Sequence, residues 1–132
     1  AGTMLAGSQA FFKTAHRMRK MLGGAMRQAG VIAAAGLYAI EHNITRIADD
    51  HANAERLARG LSGIAGLNVE GAQTNMVFVR VAAVQVVALN THMQQAGVRI
   101  LAAPRIRLVT HLDVDANGID RAISAFKSFF VK

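Results

Sequence analysis

The chain has no cysteine, no tryptophan, one tyrosine and a single proline. Without cysteine it can hold neither a disulfide framework nor a thiolate metal site, and a reducing compartment, the cytoplasm, is the expected location. No apolar run reaches the roughly 18 residues that a membrane-spanning helix needs. The longest, Ala29 to Ile40, is broken by Gly30 and Gly36, so no membrane partner is expected. Acid is missing where base is plentiful: Lys13, Arg17, Arg19, Lys20 and Arg27 all precede the first carboxylate, Glu41. Such a start resembles a mitochondrial presequence, but its apolar residues run on into a helical pattern with no small-residue cleavage site. The cations near the N-terminus are therefore expected to meet negative charge supplied from elsewhere.

What is present is a globular composition. With 132 residues, 52% hydrophobic and 17% charged, the chain has enough apolar side chain for one core and too little length for two ordinary domains. Ala1 to Ser8 reads as the middle of a strand and a turn. Residues 10–22 follow as a short helix with Phe11, Ala15, Met18 and Leu22 on one face. Gly23-Gly24 ends it, and a second helix is expected from Ala25 or Met26. Its lack of charge from Val31 to Ile40 predicts burial on most sides. Ile44 to Leu61 is amphipathic, with Asp49, Asp50, Glu55, Arg56 and Arg59 directed to solvent. Gly63 stops it.

The remainder alternates. Leu67 to Glu70 and Asn75 to Val81 read as strands, Val84 to Ala96 as a helix ended by Gly97, and Val98 to Leu101 and Arg105 to His111 as two more strands. Asp115 is the expected N-cap of a last helix striped by Ile119, Ala122, Ile123, Phe126, Phe129 and Phe130. This order predicts an α+β unit whose small, largely antiparallel sheet is covered on one face by helices.

Two stretches have the chemistry of anion sites. In "RKMLGGAMRQAG", Arg19 to Gly30, paired glycines between cations form either a plain interhelical turn or a cradle in which backbone approaches an anion. It is not a P-loop, because no GxxxxGK[ST] pattern is present. In "RIRLVTH", Arg105, Arg107, Val109 and His111 share one strand face, and Ile106, Leu108 and Thr110 share the other. Arg107 is then either directed inward to meet a carboxylate or phosphate, or set on an exposed edge-strand face. The histidines show no metal-ligand spacing, the acidic pairs Asp49-Asp50 and Asp113-Asp115 read as solvated helix positions, and no nucleophile elbow is found.

Taken together, "AGTMLAGS" at the start, "RKMLGGAMRQAGVIAAAGLYA" at 19–39, "TNMVFVRV" at 74–81 and "RIRLVTHLDV" at 105–114 resemble the C-terminal part of the low-specificity L-threonine aldolases. These are pyridoxal-phosphate enzymes of the aminotransferase-like fold type I. The resemblance implies that residues 1–24 end the cofactor-binding large domain, 25–63 form connecting helices, and 64–132 form the small C-terminal α/β domain. It implies retro-aldol cleavage of L-threonine, allo-threonine and other β-hydroxy-α-amino acids to glycine and an aldehyde, in a homo-oligomer, dimer or tetramer, with shared active sites. Arg107 matches the arginine that grips the substrate α-carboxylate. Lys20 and Arg27 match basic residues near the cofactor phosphate, partly across a subunit boundary. The cofactor-bearing lysine of such enzymes lies in a "KGLGAPxG"-like segment whose end Ala1-Gly2 resemble. None of Lys13, Lys20, Lys127 and Lys132 matches it, so the N-terminal part of the same enzyme is an expected partner and the chain alone is expected to be inactive.

Two other readings remain. Another lyase or aminotransferase of the same fold shares the carboxylate arginine and differs at Cβ. A basic nucleic-acid-binding domain fits a pI near 11.1, but only Phe11 and Phe12 stand beside the cations as stacking platforms, and no nucleic-acid partner is expected.

Overall fold

The computed structural model describes Met4–Val131, and the chain divides into two compact units, Ala1–Thr45 and Arg46–Lys132. The first holds helices α1 (Gln9–Met21) and α2 (Gly30–Asn43). Ser8 caps α1 by accepting a hydrogen bond from the Phe11 N–H. The expected strand before it is absent: Met4 to Ser8 form no strand, and Ala1-Gly2 lie outside the described residues.

The glycine pair behaves as a helix stop. Gly23 has φ +76°, its N–H donates to the Lys20 carbonyl, and the Gly24 N–H donates to the Arg19 carbonyl at 2.8 Å. A left-handed residue after the last turn satisfies the carbonyls that the helix leaves free. The following helix begins at Gly30, later than Ala25 or Met26, because Gln28 takes φ +51°, which no helix interior accommodates. A larger departure concerns burial. No residue of α2 is buried in this chain, and Val31, Leu37 and Tyr38 are 60% exposed or more. Its apolar surface is real, but the cover expected for it is not provided by the described residues.

The second unit carries the core. It contains α3 (Ile47–Leu61), β1 (Asn68–Gln73), β2 (Met76–Arg80), α4 (Val86–Gln95), β3 (Arg105–Val109) and α5 (Ala116–Phe130). The three strands form one antiparallel sheet in the order β1-β2-β3. α3 lies on β1 and β2, and α5 packs against α3 and α4. Leu57 and Leu61 of α3, Val77 and Val79 of β2, Ile106 of β3 and Phe126 of α5 meet in the interior. Asp115 caps α5 through the Gly118 N–H, as its position predicted.

Of the four strands expected in this unit, three exist. Val98 to Leu101 is not one: the Val98 N–H donates to the Met93 carbonyl at 2.8 Å, and Gly97 takes φ +73°. The end of α4 thus uses the backbone group that a strand would have offered to a neighbour. β1 instead runs past its expected end at Glu70. Val69 pairs Val79 and Ala72 pairs Val77, so Glu70 and Gly71 together oppose Phe78. Gly71 supplies the positive φ, +93°, that lets this bulge form.

Asp50, expected to face solvent, is 7% exposed. Its carboxylate pairs with Arg46 one turn back, at 2.5 Å, which offsets the cost of the burial. Its carbonyl accepts the buried Thr110 hydroxyl at 2.6 Å, tying the end of β3 to α3.

Phe126 is fully buried among these elements. Phe126→Ala is expected to lower stability by about 3–5 kcal/mol, the usual cost of a large aromatic lost from a core, as a lower midpoint in urea unfolding.

Candidate anion-binding cleft

β3 is an edge strand, and its pleat separates two functions. Ile106 and Leu108 are buried in the core, whereas Arg105, Arg107 and Val109 are exposed on the opposite face. Arg107 therefore has the outward, edge-strand placement and not the inward one. It stands opposite Phe78 in the register with β2.

That placement is concave. A cleft of about 930 Å³ is bounded by β3, the 97–103 segment and the first turns of α5. Its charged lining comprises Arg99, Arg105, Arg107 and Arg121, with His111, against Asp113 and Asp115. An open space of this size with a few charged groups in its lining is an ordinary setting for a small ligand.

The four guanidinium groups are not equivalent. Arg105 grips both oxygens of Glu70, with Nη2 to Oε2 at 2.7 Å and Nε to Oε1 and Oε2 at 3.2 and 3.1 Å. Arg80 donates to the same carboxylate at 2.6 Å. The Arg105 guanidinium also lies 4.0 Å above the centre of the Phe78 ring, a cation–π contact. These bonds hold Glu70 well below its ordinary value of 4.5, at about 2, with the Arg105 hydrogen bond the largest cause and that of Arg80 next. Reciprocally, the Glu70 hydrogen bond raises the pKa of Arg105. Arg107, Arg99 and Arg121 have no carboxylate partner among the described residues. Asp115 is engaged as the α5 cap, and Asp113 lies 3.6 Å from the His111 ring.

Lys20 and Arg27 belong to the first unit. Lys20 is in the last turn of α1 and Arg27 in the turn before α2; both are exposed, and neither has an ion-pair partner among the described residues. Among the described residues no group of three or more His, Asp or Glu is placed to hold a metal, and no helix is long and apolar enough to cross a membrane.

The sequence pattern singled out Arg107 but not Glu70, whose role depends on the strand pairing that sets it diagonally across from Arg80. Nor did it single out Arg99 and Arg121, which share the cleft through the fold and show no motif.

Comparison with known proteins follows the geometry. A family model described as beta-eliminating lyase matches residues 1–84. The chain is 42% identical over 131 residues to the low specificity L-threonine aldolase of Escherichia coli strain K12, covering 99% of this chain and 39% of that protein. It is 33% identical over 133 residues to low-specificity L-threonine aldolase 1 of Arabidopsis thaliana, covering 96% and 37%. A probable low-specificity L-threonine aldolase of Schizosaccharomyces pombe is 33% identical over 120 residues, covering 90% and 30%. The chain thus spans between three and four tenths of the length of these curated relatives.

A carboxylate whose folded-state pKa lies below its unfolded value adds stability above about pH 4.5 and loses it as the pH falls toward 2. The difference in Tm between the native chain and Glu70→Gln is accordingly expected to be present at neutral pH and to shrink between pH 4.5 and 2, as followed by circular dichroism.

Proposed function

The chain belongs to the beta-eliminating lyase family, and on that premise we propose that it is the C-terminal part of a pyridoxal-phosphate-dependent threonine aldolase. The reaction is retro-aldol cleavage of L-threonine, allo-threonine and related β-hydroxy-α-amino acids to glycine and an aldehyde. The relatives named threonine aldolase, matched along nearly the whole chain, support this reading. In it, residues 1–24 end the large domain, 25–63 connect, and 64–132 form the small domain of a cytoplasmic enzyme. The lysine that carries the cofactor lies in the N-terminal part of the same enzyme, and this chain alone is inactive.

The observation that carries the proposal is Arg107: exposed, without a carboxylate partner among the described residues, and set on a strand whose other face is held in the core. A planar guanidinium on a rigid element binds a carboxylate through two parallel hydrogen bonds. Gripping the substrate α-carboxylate fixes its rotation, and so selects which bond at Cα is aligned for cleavage. When the Cα–Cβ bond of a β-hydroxy amino acid is so aligned, loss of the hydroxyl proton to a base releases the aldehyde.

Lys20 and Arg27 fit the cofactor phosphate in charge. Both are exposed cations beside a glycine turn, with no carboxylate competing for them among the described residues. They would hold that phosphate in their own subunit or a neighbouring one. Bound there, pyridoxal phosphate supplies the electron sink for the pair left when the Cα bond breaks. The exposed apolar face of α2 supports an assembly in which a second copy or the N-terminal part covers it.

The family description favours a second reading, elimination at Cβ instead of Cα–Cβ cleavage. Glycine and acetaldehyde formed from threonine support the aldolase; an α-keto acid and ammonia from serine or threonine support the eliminase. In the intact enzyme, Arg107→Lys is expected to lower kcat/KM for threonine about 100-fold or more, since the bidentate fork is lost, while cofactor absorbance is retained. An unchanged kcat/KM would remove Arg107 from this role. Leu37→Asp, which puts a charge on the apolar face of α2, is expected to lower the assembly state in sedimentation velocity without unfolding α3 to α5.

A further inference from the structure

On the face of the sheet away from the core, Phe78 of β2 is the register partner of Arg107. The Arg105 guanidinium lies over the ring of Phe78, 4.0 Å from its centre. In the register Arg105 pairs with Arg80, yet its side chain brings its charge onto the residue that pairs with Arg107. Directly paired residues of an antiparallel sheet have Cα atoms about 4.5–5.5 Å apart, so a cation seated on Phe78 is a neighbour of Arg107. Arg105, Arg107 and Phe78 all line the same cleft.

Glu70 is what keeps Arg105 from acting as a second grip. Its carboxylate accepts from Nη2 of Arg105 at 2.7 Å and from Nε at 3.1 and 3.2 Å, the edge with which a guanidinium takes a carboxylate side-on. Arg80 donates to the same carboxylate at 2.6 Å and anchors it from a second side. Glu70 stays ionised down to about pH 2, so the grip persists wherever an amino-acid carboxylate is itself charged. Arg107, two residues along the same strand face, has no carboxylate partner among the described residues.

We propose that Glu70 is a positioning residue: by occupying Arg105 it leaves Arg107, and not its neighbour, to take the substrate α-carboxylate, and so protects the rotation on which bond selection depends. This rests on the assignment of Arg107 to the α-carboxylate. A carboxylate offered one fork has one orientation, whereas a carboxylate offered two neighbouring forks divides between them, and only one of the two placements aligns the bond at Cα. Loss of Glu70 removes no group that touches the substrate. It releases a competitor, so binding and turnover move in opposite directions: the anion is held more tightly and is less often aligned.

The test separates a released competitor from a broken ion pair. In the intact enzyme, Glu70→Gln is expected to lower kcat for threonine about 5- to 20-fold with KM unchanged or lower, and the double variant Glu70→Gln/Arg105→Gln to return kcat to within about 2-fold of native. A merely structural Glu70 gives no such recovery, because the double variant lacks the same ion pairs. On the 132-residue chain, the arginine Nε–H signals are followed by NMR as propionate is added. Arg107 alone is expected to respond in the native chain, and Arg105 with it in Glu70→Gln. Native kcat and KM in Glu70→Gln, no recovery in the double variant, or an Arg105 that responds in the native chain or stays silent in Glu70→Gln would each overturn the positioning role. If propionate leaves Arg107 itself unmoved, the assignment of the α-carboxylate falls and this role with it. If the propionate responses appear as expected but threonine is not cleaved, the role of Glu70 toward Arg107 stands and the aldolase reading falls.

Discussion

The pleat of β3 is the constraint on which the rest depends. Its residues alternate between a core that excludes water and a cleft that is open to it, with Ile106 fully buried and Arg107 exposed beside it. The hydrophobic side of that alternation supplies the rigidity and the polar side uses it. A slip of one residue would drive Arg105 and Arg107 into the packing of Phe126 and Leu57, where an unpaired charge costs several kcal/mol. The register with β2 and the Thr110 hydroxyl bond to α3 both oppose such a slip. The position of the guanidinium group is therefore a property of the core as much as of the cleft.

The electrostatics follow from the face on which Glu70 stands. Pairing is regular through Asn68 opposite Arg80 and Val69 opposite Val79, so Glu70 shares a strand face with Asn68, and its carboxylate reaches diagonally to Arg80 and to Arg105, the partner of Arg80 in the register. An arginine engaged on both its fork and its face offers little to a ligand. Glu70 thus withdraws Arg105 from the arginines that the cleft offers, without touching the others.

Much of this was legible in the sequence because periodicity reports burial directly. The stripe on α5, the Asp115 cap, the alternation of β2 and β3 and the helix stop at Gly23 all appear where their residues predicted. What was not legible depended on which groups bond to one another, whether near in the chain, as Met93 is to Val98 and Arg46 to Asp50, or distant, as Thr110 is to Asp50. Val98 to Leu101 has strand-like residues, but the end of α4 takes its first N–H. Asp50 looks like a solvated helix acid until Arg46 and Thr110 are brought to it. The charge-free run of α2 was read as buried, which is a statement about its surroundings, and periodicity holds no information on whether those surroundings lie in the same chain. Arg107 was singled out by residue type and by resemblance to a family; its outward direction required the fold.

β3 pairs on one side only and is reached after the long excursion from Val81 to Pro104, whereas β1 and β2 are joined by the two residues Thr74 and Asn75. Closing the short hairpin loses little chain entropy and closing the long loop loses more, so the hairpin can form early and β3 must dock onto it. In the reverse direction β3, an edge strand like β1, can part from β2 when the sheet opens locally. The residues meant to meet a ligand thus sit on the last strand to arrive, and an anion bound to Arg107 would favour the docked strand over the open one.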